Sequence, residues 1–299
     1  MFLTDLLSTL PIASGVPVER PGDGQIPVAP VLDADRTFAW AMVIGLYAGF
    51  AAAVVWAAVA WLRDREGVPA ILLVAGVIAA NIEPLGDHVG SIVYAPNIPW
   101  FDYTVMGRQM PSFILVGLAA YVACGSYYAY RMLAAGAPLR RIALVCVVFV
   151  GVPEILMELA WHHWHVIAYY GDNPTRILGI PLYTIVQNST LLPVYGVATF
   201  LALRHLAGAQ RLWLLVLVPT VTIGYIVGVS WPVYQAVQSS APALVTWIAA
   251  LWTCVGSVWI SWAALHLPEV AALREERARR EAGAAPAPAP APAEPAPVA

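Results

Sequence analysis

The chain has 299 residues, of which 60% are hydrophobic and only 11% are charged, and its formal net charge is -3. A mean hydropathy of +0.72 lies outside the range of soluble globular domains. All 15 basic residues are arginine, and the absence of lysine excludes a retinal Schiff base, P-loop chemistry and pyridoxal-phosphate chemistry. The composition predicts an integral membrane protein that works in the lipid bilayer and has no nucleic-acid partner.

The apolar runs are long enough to cross about 30 Å of hydrocarbon as helices, and they lack the alternation of a membrane barrel. We therefore expect an all-α, polytopic helical membrane protein. An irregular or interfacial segment is predicted over residues 1–36, a seven-helix transmembrane domain over 37–267, and a charged helix with an Ala-Pro-rich tail over 268–299. The spans are predicted at about 37–62, from 68 onward, 111–133, 142–166, 180–204, 212–234 and 243–267.

The placement of the arginines predicts the orientation of the chain. With the N-terminus outside, the outer segments hold only Arg20, Arg36, Arg108 and Arg176, and the remaining arginines lie in the inner loops and the tail. The positive-inside rule then places the C-terminus in the cytoplasm. We expect a multi-pass protein of the cell membrane, in a bacterium the inner membrane.

The predicted fourth span carries ionisable side chains that hydrocarbon does not normally accept. At 100° per residue one narrow stripe of this helix holds Glu154, Glu158, Trp161 and His165. His162 lies just beside the stripe, and His163 points to the opposite face. Such carboxyl groups are expected to be neutral, paired or hydrated, which makes the stripe a candidate site.

The second and fifth spans carry further polar groups. Glu83 and Asp87 are four residues apart near the end of the second span, and both acidic pairs are predicted to face one cavity. The polar tract 187–190 is predicted to break the fifth span and line that cavity, and the long loop 86–110 to cover it. The candidate catalytic residues are Glu83, Asp87, Glu154, Glu158, His162 and His165. The candidate substrate-binding residues are Tyr94, Trp100, Asp102, Arg108, Trp161, Tyr169, Tyr170, Gln187 and Asn188.

Three other interpretations of these residues stay open. The acids could pair with histidine, arginine or asparagine and simply hold helices together. A metal site is disfavoured because the two Glu-x-x-His pairs of a di-iron bundle are missing, so we expect no metal. Transport of a small lipophilic or proton-coupled substrate fits the intramembrane acids, but no internal repeat accompanies them.

The Gly45-xxx-Gly49 and Gly224-xxx-Gly228 spacings are predicted to be helix contacts.

Several short motifs between about residues 68 and 195 resemble the spirocyclase AveC family, membrane proteins named for spiroketal formation in avermectin biosynthesis, a pathway of secondary metabolism. The motifs are Glu83-Pro84, the aromatic loop after it, Pro111 through Gly117, the Glu154-xxx-Glu158 pair with Trp161, and Tyr169-Tyr170-Gly171. The chain departs from the family pattern in Glu83, Asp87 and the histidine run 162–165.

The resemblance implies acid-catalysed closure of a lipophilic hydroxy-ketone to a spiroketal, with loss of water and without a redox cofactor. In that interpretation Glu158 and Glu154 donate the proton, Glu83 and Asp87 accept one, and His162 or His165 tunes them. A membrane terpene cyclase that uses the same acids on a polyene is the nearest alternative enzyme.

Overall fold

The computed structural model describes residues 27–100 and 102–283, so residues 1–26 and 284–299 of the predicted terminal segments lie outside the description. Seven helical segments in it are long and apolar enough to cross a membrane, which confirms the predicted all-α polytopic fold. In chain order these spans 1 to 7 are Arg36–Asp64, Val68–Gly90, Phe113–Ala134, Leu139–His163, Leu182–His205, Gly208–Val237 and Ala243–Leu265.

The spans are built from the following helices: α1 (Arg36–Asp64), α2 (Val68–Ala80), α3 (Glu83–Gly90), α4 (Phe113–Ala134), α5 (Leu139–Val145), a π-helix (Cys146–Gly151), α6 (Val152–His163), α7 (Leu182–His205), a 3₁₀ helix (Gly208–Trp213), α8 (Leu214–Val237) and α9 (Ala243–Leu265). The predicted charged helix of the tail is α10 (Pro268–Glu281). Short strands fill the loops: β1 (Ile92–Tyr94), β2 (Asp102–Val105), β3 (Arg108–Pro111), β4 (Ile167–Tyr169), β5 (Arg176–Ile177) and β6 (Ile180–Pro181).

Spans 2 and 4, which carry the acids, are both irregular. A turn at Asn81 and Ile82 separates α2 from α3, and a π-helix precedes α6. A proline stands in the first turn of each new helix, where its missing N–H does not break a hydrogen bond. Glu83 and Glu154 lie in those same first turns, so each irregularity sets the direction of an acidic side chain.

Small residues let the central helices approach closely. The predicted glycine pairs are not the places where this happens. A Cβ on Gly76 of span 2 would lie 2.6 Å from the carbonyl oxygen of Ala119 in span 3. All four predicted contact glycines are instead exposed, and a Cβ on any of them would meet nothing within 4 Å in the described chain: Gly45, Gly49, Gly224 and Gly228. That prediction was wrong, because the two glycine faces point away from the helix bundle.

Span 5 is a single unbroken helix, so the predicted break at its polar tract was wrong. Two of the hydroxyls bond back to the helix itself: Ser189 donates to the carbonyl of Ile185 at 2.7 Å, and Thr190 to that of Val186 at 2.6 Å. This local bonding satisfies polar side chains inside an apolar environment without opening the helix.

Three two-stranded antiparallel ribbons occupy the loops at one end of the described bundle, which we call the ribbon side. The hairpins β2–β3 and β5–β6 are local, whereas β1 pairs with β4, which follows it by a whole helical hairpin. Because β1 follows span 2 and β4 follows span 4, this β1–β4 ribbon joins the ends of the two acid-bearing spans.

The described part of the lead-in, residues 27–35, has no regular structure but is packed into the ribbon side. Leu32 and Ala34 are buried in the same cluster as Tyr94. The side chain of Asn97 holds the lead-in by accepting from the backbone N–H of Ala34 at 2.9 Å and donating to its carbonyl at 3.0 Å. The lead-in thus helps to cover the acid-bearing end of the bundle.

Candidate functional site

Helix α6 presents its acidic stripe inward, as its sequence predicts. Glu158, Trp161 and His162 are buried, whereas His163 is exposed. The opposite face carries the exposed apolar residues Val152, Ile155 and Leu156. One face of α6 is therefore suited to lipid and the other faces the interior of the bundle.

Helix α3 brings the second acidic pair against the first. Asp87 is only 2% exposed, and Glu158 of α6 is 6% exposed. Glu83 interacts electrostatically with Glu154, and Asp87 with Glu158. The structure thus places both acidic pairs in one cluster between spans 2 and 4. Four negative charges in this buried, low-dielectric environment would repel one another strongly. The carboxyl groups must therefore share protons or accept hydrogen bonds from neighbouring donors.

Two tyrosines of the β1–β4 ribbon supply such donors. The hydroxyl of Tyr94 donates to Oε1 of Glu83 at 3.4 Å, and that of Tyr169 donates to Oε1 of Glu158 at 3.1 Å. Burial raises the pKa of both tyrosines well above its ordinary value, and the neighbouring carboxylates raise it further. Both hydroxyls therefore keep their protons at neutral pH and act as donors.

Glu154 takes its donor from span 5. Nδ2 of Asn188 donates to Oε1 of Glu154 at 2.5 Å, and the hydroxyl of Tyr121 in span 3 donates to the backbone carbonyl of Asn188 at 3.2 Å. A Cβ on Gly151, in the π-helix one turn before Glu154, would lie 2.8 Å from Oγ of Ser189. Span 4 therefore approaches span 5 closely enough for the amide of Asn188 to reach the acid.

Three fully buried carboxyl oxygens in this cluster are left without donors. Both side-chain oxygens of Asp87 and Oε2 of Glu158 are buried and accept no hydrogen bond from any described residue. Buried polar atoms in native structures nearly always have a partner, so unpartnered ones need an explanation. Here the explanation is either a proton shared between carboxyl groups or a further hydrogen-bond donor.

Arg108 brings the positive charge that acts on Asp87. Its guanidinium donates to the backbone carbonyls of Asp87 and Ile92 and to the hydroxyl of Tyr170. It also lies 5.4 Å from the centre of the Tyr170 ring. The pair Arg108 and Tyr170 therefore closes the ribbon side of the site and fixes β3 against β1.

An aromatic wall stands beside the acids. The ring of Phe113 makes edge contacts with the rings of Tyr94 and Trp161, at centroid distances of 5.9 and 5.5 Å. Phe113 was not among the predicted site residues, although it lies in the motif that opens span 3. An aromatic face of this kind can stabilise a developing cation.

His162, at the end of α6, is buried beneath the β5–β6 hairpin. Its imidazole lies so close to Gly179 that a Cβ there would fall 2.0 Å from Nε2. Leu178 and Gly179 form the two-residue turn of the hairpin with φ values of 55° and 85°, which is the geometry of a type I′ turn. The hairpin was not predicted, and it decides where the imidazole lies.

Three predicted site residues are not brought to the acids. Helix α6 ends at His163, and His165 takes a left-handed conformation with φ 55°, so it leaves the predicted stripe and is exposed. The N–H groups of His165 and Val166 bond to the carbonyls of His162 and Trp161 and close the helix in a Schellman motif.

The other two lie in a loop and in a different helix contact. Trp100 is 57% exposed and stacks on Tyr47 of span 1 at 4.8 Å. Nε2 of Gln187 donates to the backbone carbonyls of Tyr225 and Ile226, at 3.3 and 3.0 Å, and so ties span 5 to span 6. Asp102 lies in β2, and its side chain is outside the described part of the structure.

Within residues 27–100 and 102–283, no group of three or more His, Cys, Asp or Glu side chains has an arrangement that could hold a metal ion.

Comparison of the chain with protein-family models, with curated proteins and with solved structures finds no match.

Proposed function

We propose that this protein is a membrane-embedded acid–base cyclase that closes a lipophilic hydroxy-ketone to a cyclic ketal with loss of water, as the spirocyclase AveC family is named for doing. One observation carries the proposal. Four carboxyl groups on helices α3 and α6 have different partners: tyrosine hydroxyls for Glu83 and Glu158, an amide for Glu154, and no hydrogen-bond donor among the described residues for Asp87. Acid–base catalysis needs carboxyl groups that are close together and differ in environment.

The chemistry balances without a cofactor. A substrate hydroxyl adds to the ketone carbon and forms a hemiketal. A protonated carboxyl then gives its proton to the hemiketal hydroxyl, which leaves as water, and a second substrate hydroxyl attacks the resulting oxocarbenium ion. A carboxylate takes the proton of that second hydroxyl, so one water molecule is released and one proton returns to the acid cluster.

We assign proton donation to the pair Glu154 and Glu158, and proton acceptance to Glu83 and Asp87. The guanidinium of Arg108 is the positive charge that acts on Asp87, on the accepting side. The aromatic wall of Tyr94, Phe113 and Trp161 would face the oxocarbenium ion. The nearly complete burial of Asp87 and Glu158 would exclude bulk water, which otherwise competes with the second hydroxyl.

The test is turnover of lipophilic dihydroxy-ketones by the purified protein in lipid, with product detected by mass as loss of one water. The variant Glu158→Gln removes a titratable group with little change in shape, and general acid–base contributions predict a loss of about 10²–10⁴-fold. Glu275→Gln, an exposed position on α10, is the matched control and should keep wild-type turnover.

Wild-type turnover in both Glu158→Gln and Glu83→Gln would overturn the proposal, as would failure of the wild-type protein to convert any dihydroxy-ketone. Cyclisation of a prenylated epoxide would instead identify a terpene cyclase. Accumulation of an unchanged substrate inside sealed vesicles would identify a transporter.

We further infer that the ribbon side faces outward and that the protein resides in the cell membrane, the inner membrane of a bacterium. Arginines at the ends of the described spans support this orientation, because most lie on the side opposite the ribbons, as the positive-inside rule requires of the cytoplasmic side. In a background without the three cysteines, an impermeant maleimide added to intact cells should label Asp172→Cys and not Glu275→Cys. The reverse pattern would overturn the orientation.

A further inference from the structure

We propose that the β1–β4 ribbon positions the acid site as one unit, with Tyr94 and Tyr169 as positioning residues that hold Glu83 and Glu158 together. The consequence for turnover rests on the proposed cyclase function. The consequence for the carboxyl groups themselves rests only on the geometry of the ribbon.

The register of the ribbon places both tyrosines on one face. Tyr94 pairs with Ile167 and Tyr169 pairs with Ile92, so the two tyrosines are diagonal neighbours across the strands. Paired residues of an antiparallel ribbon, and residues two apart along a strand, point to the same face. The β1–β4 ribbon thus places two hydroxyls within hydrogen-bond distance of two carboxyl groups that belong to different helices.

The ribbon is fastened from both outer edges at a single cross-strand pair. Backbone bonds from Ala95 to Val166 and from Tyr170 to Ser91 make the intervening Ile92–Tyr169 pair a non-hydrogen-bonded one, whose carbonyls point outward. Arg108 donates to the carbonyl of Ile92, and Arg176 donates to that of Tyr169. The two arginines therefore hold the ribbon between them.

This arrangement determines which carboxyl oxygens accept a hydrogen bond from the ribbon and which do not. The tyrosines occupy Oε1 of Glu83 and Oε1 of Glu158, and Oε2 of Glu158 remains buried without a donor from the described residues. A shift of the ribbon would change the hydrogen bonds of both carboxyl groups at once. A shift of one helix would change only its own.

Substitution of Arg176 can perturb the ribbon without changing a residue that bonds to the acids. Its guanidinium bonds to the backbone carbonyls of Tyr169, Gly171 and Asn173. Arg176→Gln should therefore loosen the ribbon without removing either tyrosine hydroxyl. The matched control is Tyr183→Phe, which removes a buried tyrosine hydroxyl whose partner is Asn173 at 3.4 Å.

Infrared difference spectra of the protein in lipid report the hydrogen bonds of carboxyl groups, and Glu83→Gln and Glu158→Gln assign the bands. Tyr94→Phe should shift the band of Glu83, Tyr169→Phe that of Glu158, and Arg176→Gln both. Tyr183→Phe should shift neither. Turnover should fall about tenfold in each tyrosine variant, the size expected for a lost hydrogen bond to a charged group.

Unchanged bands of both glutamates in folded Arg176→Gln would overturn the role of the ribbon as a unit, and so would wild-type turnover in both Tyr→Phe variants. The infrared result needs no substrate. If the wild-type protein converts no dihydroxy-ketone, the cyclase proposal fails, and shifted bands in Arg176→Gln would still establish that the ribbon positions both carboxyl groups.

Discussion

Gly179 lies directly against the imidazole of His162, so that a Cβ at residue 179 would fall 2.0 Å from Nε2. The glycine is needed twice at this position, since its φ of 85° also belongs to the left-handed region. The contact connects the β5–β6 hairpin to the last turn of α6.

Gly179→Ala should destabilise the protein by about 1–2 kcal/mol for the left-handed backbone, and by about 1–3 kcal/mol more for the displaced imidazole. Gly107→Ala is the matched control, because Gly107 has a similar φ of 74° but open space around it. Thermal unfolding in detergent measures both. Equal losses of stability in the two variants would show that the His162 contact contributes nothing.

Asn188→Leu should destabilise the protein by about 1–3 kcal/mol, because it leaves a partly buried acid without its donor. The amide of Asn188 bonds to Glu154 at 2.5 Å, whereas that of the exposed Asn81 bonds only to a carbonyl of its own helix. Asn81→Leu is therefore the control in equilibrium unfolding. A loss in Asn188→Leu no larger than in the control would contradict the bond.

Gly76→Ala should separate spans 2 and 3 and cost about 1–3 kcal/mol, since its Cβ would lie 2.6 Å from a backbone oxygen of Ala119. Gly45→Ala, on the exposed face of span 1, should be neutral or stabilise the helix by up to about 1 kcal/mol. Unfolding in detergent compares them. A neutral Gly76→Ala would mean that the two helices are packed less tightly.

Alkaline pH should destabilise the protein through its buried tyrosines. The folded-state pKa of Tyr94 is raised by burial, so its contribution to stability is fully present below about pH 10, the ordinary tyrosine value. Above that pH the unfolded chain ionises first, and the free energy of unfolding falls by about 1.4 kcal/mol per pH unit for each such group. Tyr94→Phe should show a shallower fall between pH 10 and 11 than wild type, and an identical slope would refute the burial effect.

The sequence could predict the class of fold and the inward face of span 4, because both follow from local patterns. Seven apolar runs fit a bilayer, and Glu158 and Trp161 share a face through the helical repeat alone. The same reasoning failed at His165, where a Schellman motif ends the helix before the stripe is complete. It also failed at Gln187, since the direction of an amide depends on which neighbouring helix is in reach.

What the sequence by itself determined is that two acidic pairs lie within apolar spans, at a cost that hydrocarbon imposes on any carboxyl group. The tertiary structure decided which donors meet those acids. Tyr94 and Tyr169 are distant in sequence and reach Glu83 and Glu158 only because β1 pairs with β4 across a whole helical hairpin. Such pairing depends on where spans 2 and 4 end in the folded bundle, which local periodicity does not encode.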